Sequence, residues 1–219
     1  MPLPARLLLT LGLLLAGATG VAAGETRTAA LGPAGSGGLS GSQPAHLTAI
    51  GGTTPPIGYV RFCAEHGTDC VAAGEMVFEM ELDKARLAQL EKVNTGINEA
   101  VDPVTDMEHF GETERWSYPT DGKGDCEDYV LAKRKALLGM GWPASVLLIT
   151  VVRDKDGDGH AVLTVVTDHG DLVLDNQAPD ILPWKETGYR FVKRQSQGDP
   201  ALWVSLGDSR SPPVVGGGR

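Results

Sequence analysis

The sequence lacks a basic excess: Lys and Arg number 19 against 28 Asp and Glu, giving a formal net charge of −9. Phosphate binding needs a cationic face, so this balance argues against a nucleic-acid partner. After residue 16 the chain also lacks any apolar run near the ~20 residues needed to cross a bilayer, which excludes an integral membrane protein. No internal repeat is visible. Cysteine is scarce, with three residues in 219, and an odd number cannot pair completely within one chain.

What is present begins with an export signal. Arg6 precedes the apolar stretch Leu7-Leu8-Leu9-Thr10-Leu11-Gly12-Leu13-Leu14-Leu15-Ala16, and small residues follow, ending Val21-Ala22-Ala23. Small residues at the −3 and −1 positions suit a signal peptidase, which places cleavage near Ala23 and the mature protein in the periplasm. Residues 24–54 are rich in Gly, Ala, Ser, Thr and Pro and nearly free of large apolar side chains, the composition of a flexible linker. Residues 209–219 carry a Pro-Pro and Gly-Gly-Gly tail of the same character. The folded domain is expected over 55–208.

Within it, Leu82, Ala85, Leu87, Leu90, Val93 and Ile97 recur at helical spacing and predict a helix over 82–100. Residues 101–123 read as a long ordered loop containing Trp116 and Tyr118, which could pack in a core or line a cleft. A second helix is predicted over 126–140, ended by Gly139, Gly141 and Pro143, with Lys133, Arg134 and Lys135 as surface charges. Strands follow at 145–152, 161–167, 171–174, 189–192 and 202–206, with Asp168-His169-Gly170 as a tight turn. Helices first and then adjacent strands indicate an α+β fold with an antiparallel sheet.

The cysteines differ in setting. Cys63 and Cys70 are seven positions apart and suit a small disulfide loop; with His66 between them, a metal site is the alternative. Cys126 is left over. It stands in Gly124-Asp125-Cys126-Glu127-Asp128, where a Gly-containing loop enters a helix. Free backbone N–H groups and the helix dipole lower a thiol's pKa there and can hold an oxyanion. The flanking carboxylates oppose that effect, so a cation or an outward geometry must offset them.

A thiol nucleophile needs a base, and the base needs an orienting group. His160 begins one predicted strand and Asp175 ends the next. With Thr167 opposite Asp168, an antiparallel pairing puts His160 directly opposite Asp175. His46 falls in the linker, His66 in the cysteine loop, His109 in the long loop and His169 in the turn. Cys126, His160 and Asp175 are therefore the candidate catalytic residues. The segment Asp154-Lys155-Asp156-Gly157-Asp158-Gly159 matches the first half of an EF-hand loop, but its twelfth position is Val165 and strands flank it, so it reads as a hairpin and at most a weak accessory ion site.

Gly-Asp-Cys-Glu-Asp-Tyr at 124–129, Gly-His-Ala-Val-Leu at 159–163 and Val-Leu-Asp-Asn at 173–176 together resemble the bacterial transglutaminase-like cysteine peptidases. That family includes LapG-type periplasmic proteases that release surface adhesins. The Phe-Cys…Cys feature and compact length are similar to its stand-alone alphaproteobacterial branch. The resemblance implies a papain-like, transglutaminase-like α+β fold with Cys126 as nucleophile, His160 as general base and acid, and Asp175 as orienter. It also implies calcium held through Asp125 and Glu127, a protein substrate in the cell envelope such as an adhesin, and an inner-membrane regulatory receptor as a partner. Transglutaminase-type acyl transfer, a cell-wall peptidase and a calcium-dependent non-catalytic binding module are the rival readings.

Overall fold

The computed structural model describes residues 46–207. The signal peptide expected over 1–23, most of the linker expected over 24–54 and the tail expected over 209–219 lie outside them. In chain order the elements are β1 (Gly51–Thr53), α1 (Ile57–Glu65), α2 (Lys84–Ala100), β2 (Asp102–Pro103), α3 (Asp106–Phe110), β3 (Lys123–Gly124), α4 (Cys126–Gly139), β4 (Leu147–Arg153), β5 (Gly159–Thr167), β6 (Gly170–Leu174), β7 (Leu182–Pro183), β8 (Arg190–Gln195) and β9 (Trp203–Ser205). Seven strands form one sheet in the order β1-β9-β8-β4-β5-β6-β7, and every pairing in it is antiparallel. The major helices precede the major strands, which is the α+β architecture expected.

The apolar runs of β4 and β5 take the centre because both faces of the sheet are covered. Along β5, Ala161, Leu163 and Val165 face a core built with Tyr59 and Phe62 of α1, Leu90 and Val93 of α2, and Val130 and Leu137 of α4. Val162 lies in a smaller core on the other face with Leu47, Val152, Val173 and Phe191. Each such buried side chain contributes about 1.5–3 kcal/mol, so this packing holds the helix start and the strand ends in place. Helix α2 is capped by Asp83, whose side chain accepts from Arg86 N.

Several expectations change in detail. Residues 46–54 were read as linker, but β1 pairs with β9, Leu47 is buried, and His46 Nδ1 lies 2.8 Å from Asp171 Oδ1. Gly-Gly-Thr offers no side-chain pattern, so only its backbone ladder reveals that strand. Residues 144–146 form a 3-10 turn before β4. The β5–β6 ladder pairs Leu163 with Leu174 and Thr167 with Gly170, two residues away from the expected register. A two-residue slip keeps every side chain on its own face, so His160 and Asp175 remain neighbours along a diagonal instead of directly opposite.

Lys133 and Arg134 are the larger correction. Both were expected on the surface, yet Lys133 is fully buried and Arg134 nearly so. Helix α4 is the central helix, packed against both α2 and β5, so it has little outer face to spare. Arg134 donates to the carbonyls of Leu147 and Asp69 at 3.1 and 3.4 Å. Burial lowers the Lys133 ammonium to about 7, opposed by attraction from Asp175. Lys135 rests over the Tyr118 ring, 3.8 Å from its centre. Trp116 is a core residue, and the Tyr118 hydroxyl donates to Asp69.

Cys63 and Cys70 form the expected disulfide, joining α1 to the turn Gly67–Cys70. His66 packs its ring against Phe62 and Tyr118, away from a ligand role. A loop this short restricts the unfolded chain by about 2.5 kcal/mol at 25 °C. Replacing both cysteines with serine is predicted to lower unfolding free energy by about that amount in urea titrations, with the folded far-UV spectrum retained.

Candidate active site

The site is assembled where α4 meets the end of the β5–β6 pair. Helix α4 begins at Cys126 without a side-chain cap from Asp125, so the first amides of the helix keep their donors. Gly124 precedes it because a Cβ there would lie 2.7 Å from the Asp128 side chain. The ladder between β5 and β6 stops at Leu163 and Leu174, leaving the N–H of Ala161 to the helix tip. That N–H donates to Cys126 Sγ at 3.3 Å. The sulfur thus touches the peptide bond that joins Ala161 to His160. Cys126 is the free cysteine and is buried.

His160 and Asp175 meet on the face of the sheet that carries Val162 and Val173. His160 Nε2 lies 2.8 Å from Asp175 Oδ1, with both side chains buried. This bond occupies Nε2, and the Gln177 side chain approaches Nδ1 at 3.4 Å. Asp175 is held by more than the histidine. Tyr189 donates its hydroxyl to Oδ2 at 2.7 Å, and Gln177 N donates to Oδ1 at 2.9 Å. Asn98 of α2 donates to the Asp175 carbonyl at 2.8 Å. Burial pushes the Asp175 carboxyl up, but His160 foremost, then Gln177 N and Tyr189, outweigh it and leave it below its ordinary value. Tyr189, Gln177 and Asn98 were not singled out from sequence, and no spacing marks Tyr189 or Asn98.

Around the sulfur the charges run the other way. Asp106, Asp125 and Glu127, all buried, bring carboxylate oxygens within 4.8 Å of one another, a group able to hold a metal ion. Asp125 and Glu127 were anticipated; Asp106 was not, because it sits in what read as loop. It is the first residue of α3, whose Thr105 and Glu108 form a capping box that a closer reading could have caught. Asp128 and Glu114 are buried beside them. Asp125 Oδ1, Glu127 Oε1 and Asp128 Oδ2 have no hydrogen-bond partner among the described residues. Burial, then mutual repulsion, raises Asp125 to about 7 and Glu127 well above its ordinary value. Burial likewise raises Asp128 to about 8 and Glu114 to about 7. Burial, then Glu127 and Asp125, push the Cys126 thiol up, and its sulfur lies 3.2 Å from Glu127 Oε2. Orphaned, like-charged, all-oxygen donors fit a hard divalent cation, which would relieve both the repulsion and the desolvation.

The family model for bacterial transglutaminase-like cysteine proteinases, BTLCP, matches residues 49–211. The chain belongs to that family. As a member it is a transglutaminase-like cysteine peptidase. Similar solved structures include Legionella pneumophila LapG, at 31% identity and a TM-score of 0.47 over 56% of this chain and 71% of that one. Calcium-bound L. pneumophila LapG is similar at 26% identity and a TM-score of 0.48, over 60% and 75% of the two chains. The EGTA-treated form stands at 30% identity and 0.47, over 57% and 69%. The comparison with curated proteins found no match. No helix among the described residues is long and apolar enough to cross a membrane.

The raised carboxylates set a pH dependence. Each binds its proton more tightly in the folded chain than in the unfolded one, so cation-free stability is highest below about pH 4 for these groups and is lost as pH rises through 7 to 8. Calorimetry of the EGTA-treated peptidase is predicted to show a melting temperature that falls from pH 5 to pH 8. Added calcium should flatten or reverse the fall, and Asp106→Asn with Asp125→Asn should reduce it without added metal.

Proposed function

We propose that this peptidase is an exported, calcium-dependent endopeptidase that cleaves a protein of the cell envelope through Cys126, His160 and Asp175. The observation that carries the proposal is the meeting at one strand end: the Cys126 sulfur on the amide next to His160, and the His160 ring on the Asp175 carboxylate. The lone buried thiol therefore sits on the backbone of the residue that follows a carboxylate-anchored imidazole, and these are the three groups a thiol nucleophile uses.

The chain's own groups account for the steps. Asp175, held by Tyr189 and Gln177, fixes Nε2 as the protonated nitrogen of His160. Nδ1 takes the Cys126 proton, and the thiolate adds to the substrate carbonyl carbon. The carbonyl oxygen becomes an oxyanion that accepts from the first amides of α4. The C–N bond then breaks, and Nδ1–H passes its proton to the departing amine. Water enters, gives a proton to Nδ1 and its oxygen to the thioacyl carbon. The C–S bond then breaks, the acid leaves, and Nδ1–H returns its proton to the sulfur. Asp106, Asp125 and Glu127 would hold the calcium, with Asp128 and Glu114 close by, and when bound it supplies positive charge that cancels the field opposing thiolate formation.

Export is supported by the Cys63–Cys70 disulfide, a bond favoured in oxidising compartments, together with the basic-apolar start of the sequence. An envelope protein, with a surface adhesin as the first candidate, follows as the substrate class, and an inner-membrane receptor as a regulator.

The test is an envelope digest. Mature protein with calcium is incubated with the envelope fraction of its own cells, and new amino termini are identified by mass spectrometry. New termini should appear with wild type and vanish with Cys126→Ser, with His160→Ala and with EGTA. Identical termini in the Cys126→Ser digest would contradict the proposal. Tyr189→Phe removes one bond to a buried carboxylate, so it should lower kcat/KM about tenfold while leaving the fold intact.

A further inference from the structure

Helix α4 turns a stripe of buried side chains inward at Cys126, Val130, Lys133 and Leu137, the spacing of one helix face. Cys126, Val130 and Leu137 belong to the main core. Lys133 stands among them with no exposed surface, and its Nζ has no hydrogen-bond partner among the described residues. The mechanism above gives it no part. A buried ammonium is costly unless an opposite charge stands near it.

That charge is Asp175, which attracts Lys133 against the burial that lowers the ammonium to about 7. The core side chains of the elements packed on α4 are uncharged: Leu90 and Val93 on α2, Ile149 and Val151 on β4, Leu163 and Val165 on β5. Lys123 on β3 is exposed, and Asp125, Glu127 and Asp128 belong to the helix start. Tyr129, one turn before Lys133, has its ring centre 5.9 Å from Nζ and donates its hydroxyl to the Val101 carbonyl. Helix α2 also reaches the Asp175 segment. Asn98 donates to the Asp175 carbonyl at 2.8 Å and Asn94 to the Pro179 carbonyl at 3.3 Å. The Oδ1 atoms of both asparagines are buried without a partner among the described residues.

We propose that Lys133 is a positioning residue of the peptidase: its buried ammonium is the counter-charge that keeps Asp175 ionised and in line with His160. The inference rests on the peptidase reading of Cys126, His160 and Asp175. Before Nδ1 takes the thiol proton, Asp175 is a buried net negative charge, and Lys133 matches it. Once the imidazolium forms, the same ammonium repels it and favours passing the proton on to the departing amine. Lys133 touches neither the substrate nor the reacting atoms, so it acts through Asp175. Its charge is present below about pH 7 and is lost as pH rises through that value, so its effect on rate belongs to the lower range.

Two measurements test this on the full mature chain with calcium present. In the first, the side-chain Cε resonance of Lys133 is followed by NMR in 13C-lysine protein and assigned by its loss in Lys133→Met. It should titrate near pH 7, and Asp175→Asn should move that titration down by about one unit. A Lys133 that titrates as a free lysine does, or at the same pH in Asp175→Asn, would overturn the counter-charge. In the second, wild type and Lys133→Met are given a quenched-fluorescence peptide library at pH 6 and pH 9. At pH 6 the variant should lose about tenfold in kcat with KM within about twofold; at pH 9, where wild-type Lys133 is itself uncharged, the two should differ by less than about twofold. No loss at pH 6, or an equal loss at both pH values, would overturn the positioning role and leave the peptidase reading standing. A wild type that cuts no peptide while its Lys133 responds to Asp175→Asn would overturn the peptidase reading, and the role in catalysis with it.

Discussion

Carboxylates converge on the first turn of α4 from three directions, and water reaches little of them. Asp125, Glu127 and Asp128 come from the helix start, Asp106 from α3, and Glu114 from the chain leading to Trp116. A helix N-terminus favours negative charge, but by about 1 kcal/mol and over one turn, far too little to keep several buried carboxylates ionised together. The arrangement has two exits. The groups hold protons, or a cation takes their place. Cys126 lies inside this cluster, so whichever exit is taken also sets the state of the sulfur. In the proposed function the second exit is the working one, and catalysis is tied to calcium by electrostatics instead of by any movement of the chain.

The other half of the site obeys the opposite logic. Asp175 is buried too, but the imidazole of His160, the hydroxyl of Tyr189 and the amide of Gln177 leave both its oxygens with donors, so it stays ionised and fixed. Rigidity here comes from the sheet: Leu163 and Val173 pack on opposite faces of neighbouring strands, and the ladder ends just where the two side chains project. The edge left open beyond Leu174 lets the helix tip and its sulfur reach the strand backbone at Ala161.

Much of this was legible in the sequence, for reasons that can be named. A lone cysteine at a loop-to-helix junction, and a histidine and an aspartate at the ends of strands joined by a tight turn, are local patterns. They survive a register error of two because the strand period is two. The disulfide was legible from spacing and compartment. Asp106 was not, since it joins Asp125 only through the fold, and the parallel bridge of β2 and β3 that brings those segments side by side is two residues long. Tyr189 reaches Asp175 from a segment with no pattern of its own. Lys133 misled because charge usually marks an outer face, whereas α4 is enclosed. β1 was hidden because Gly51 and Gly52 carry no side chain to alternate.

The central claim is that the imidazole and the filled carboxylate cluster together make Cys126 a reactive thiolate. Alkylation of the non-reduced mature protein with iodoacetamide, followed by peptide mass mapping over time, tests it most directly. With calcium, one fast modification should fall on Cys126, and both EGTA and His160→Ala should slow it by about tenfold or more. A Cys126 that stays unmodified in calcium, or reacts at the same rate in all three conditions, would contradict the account.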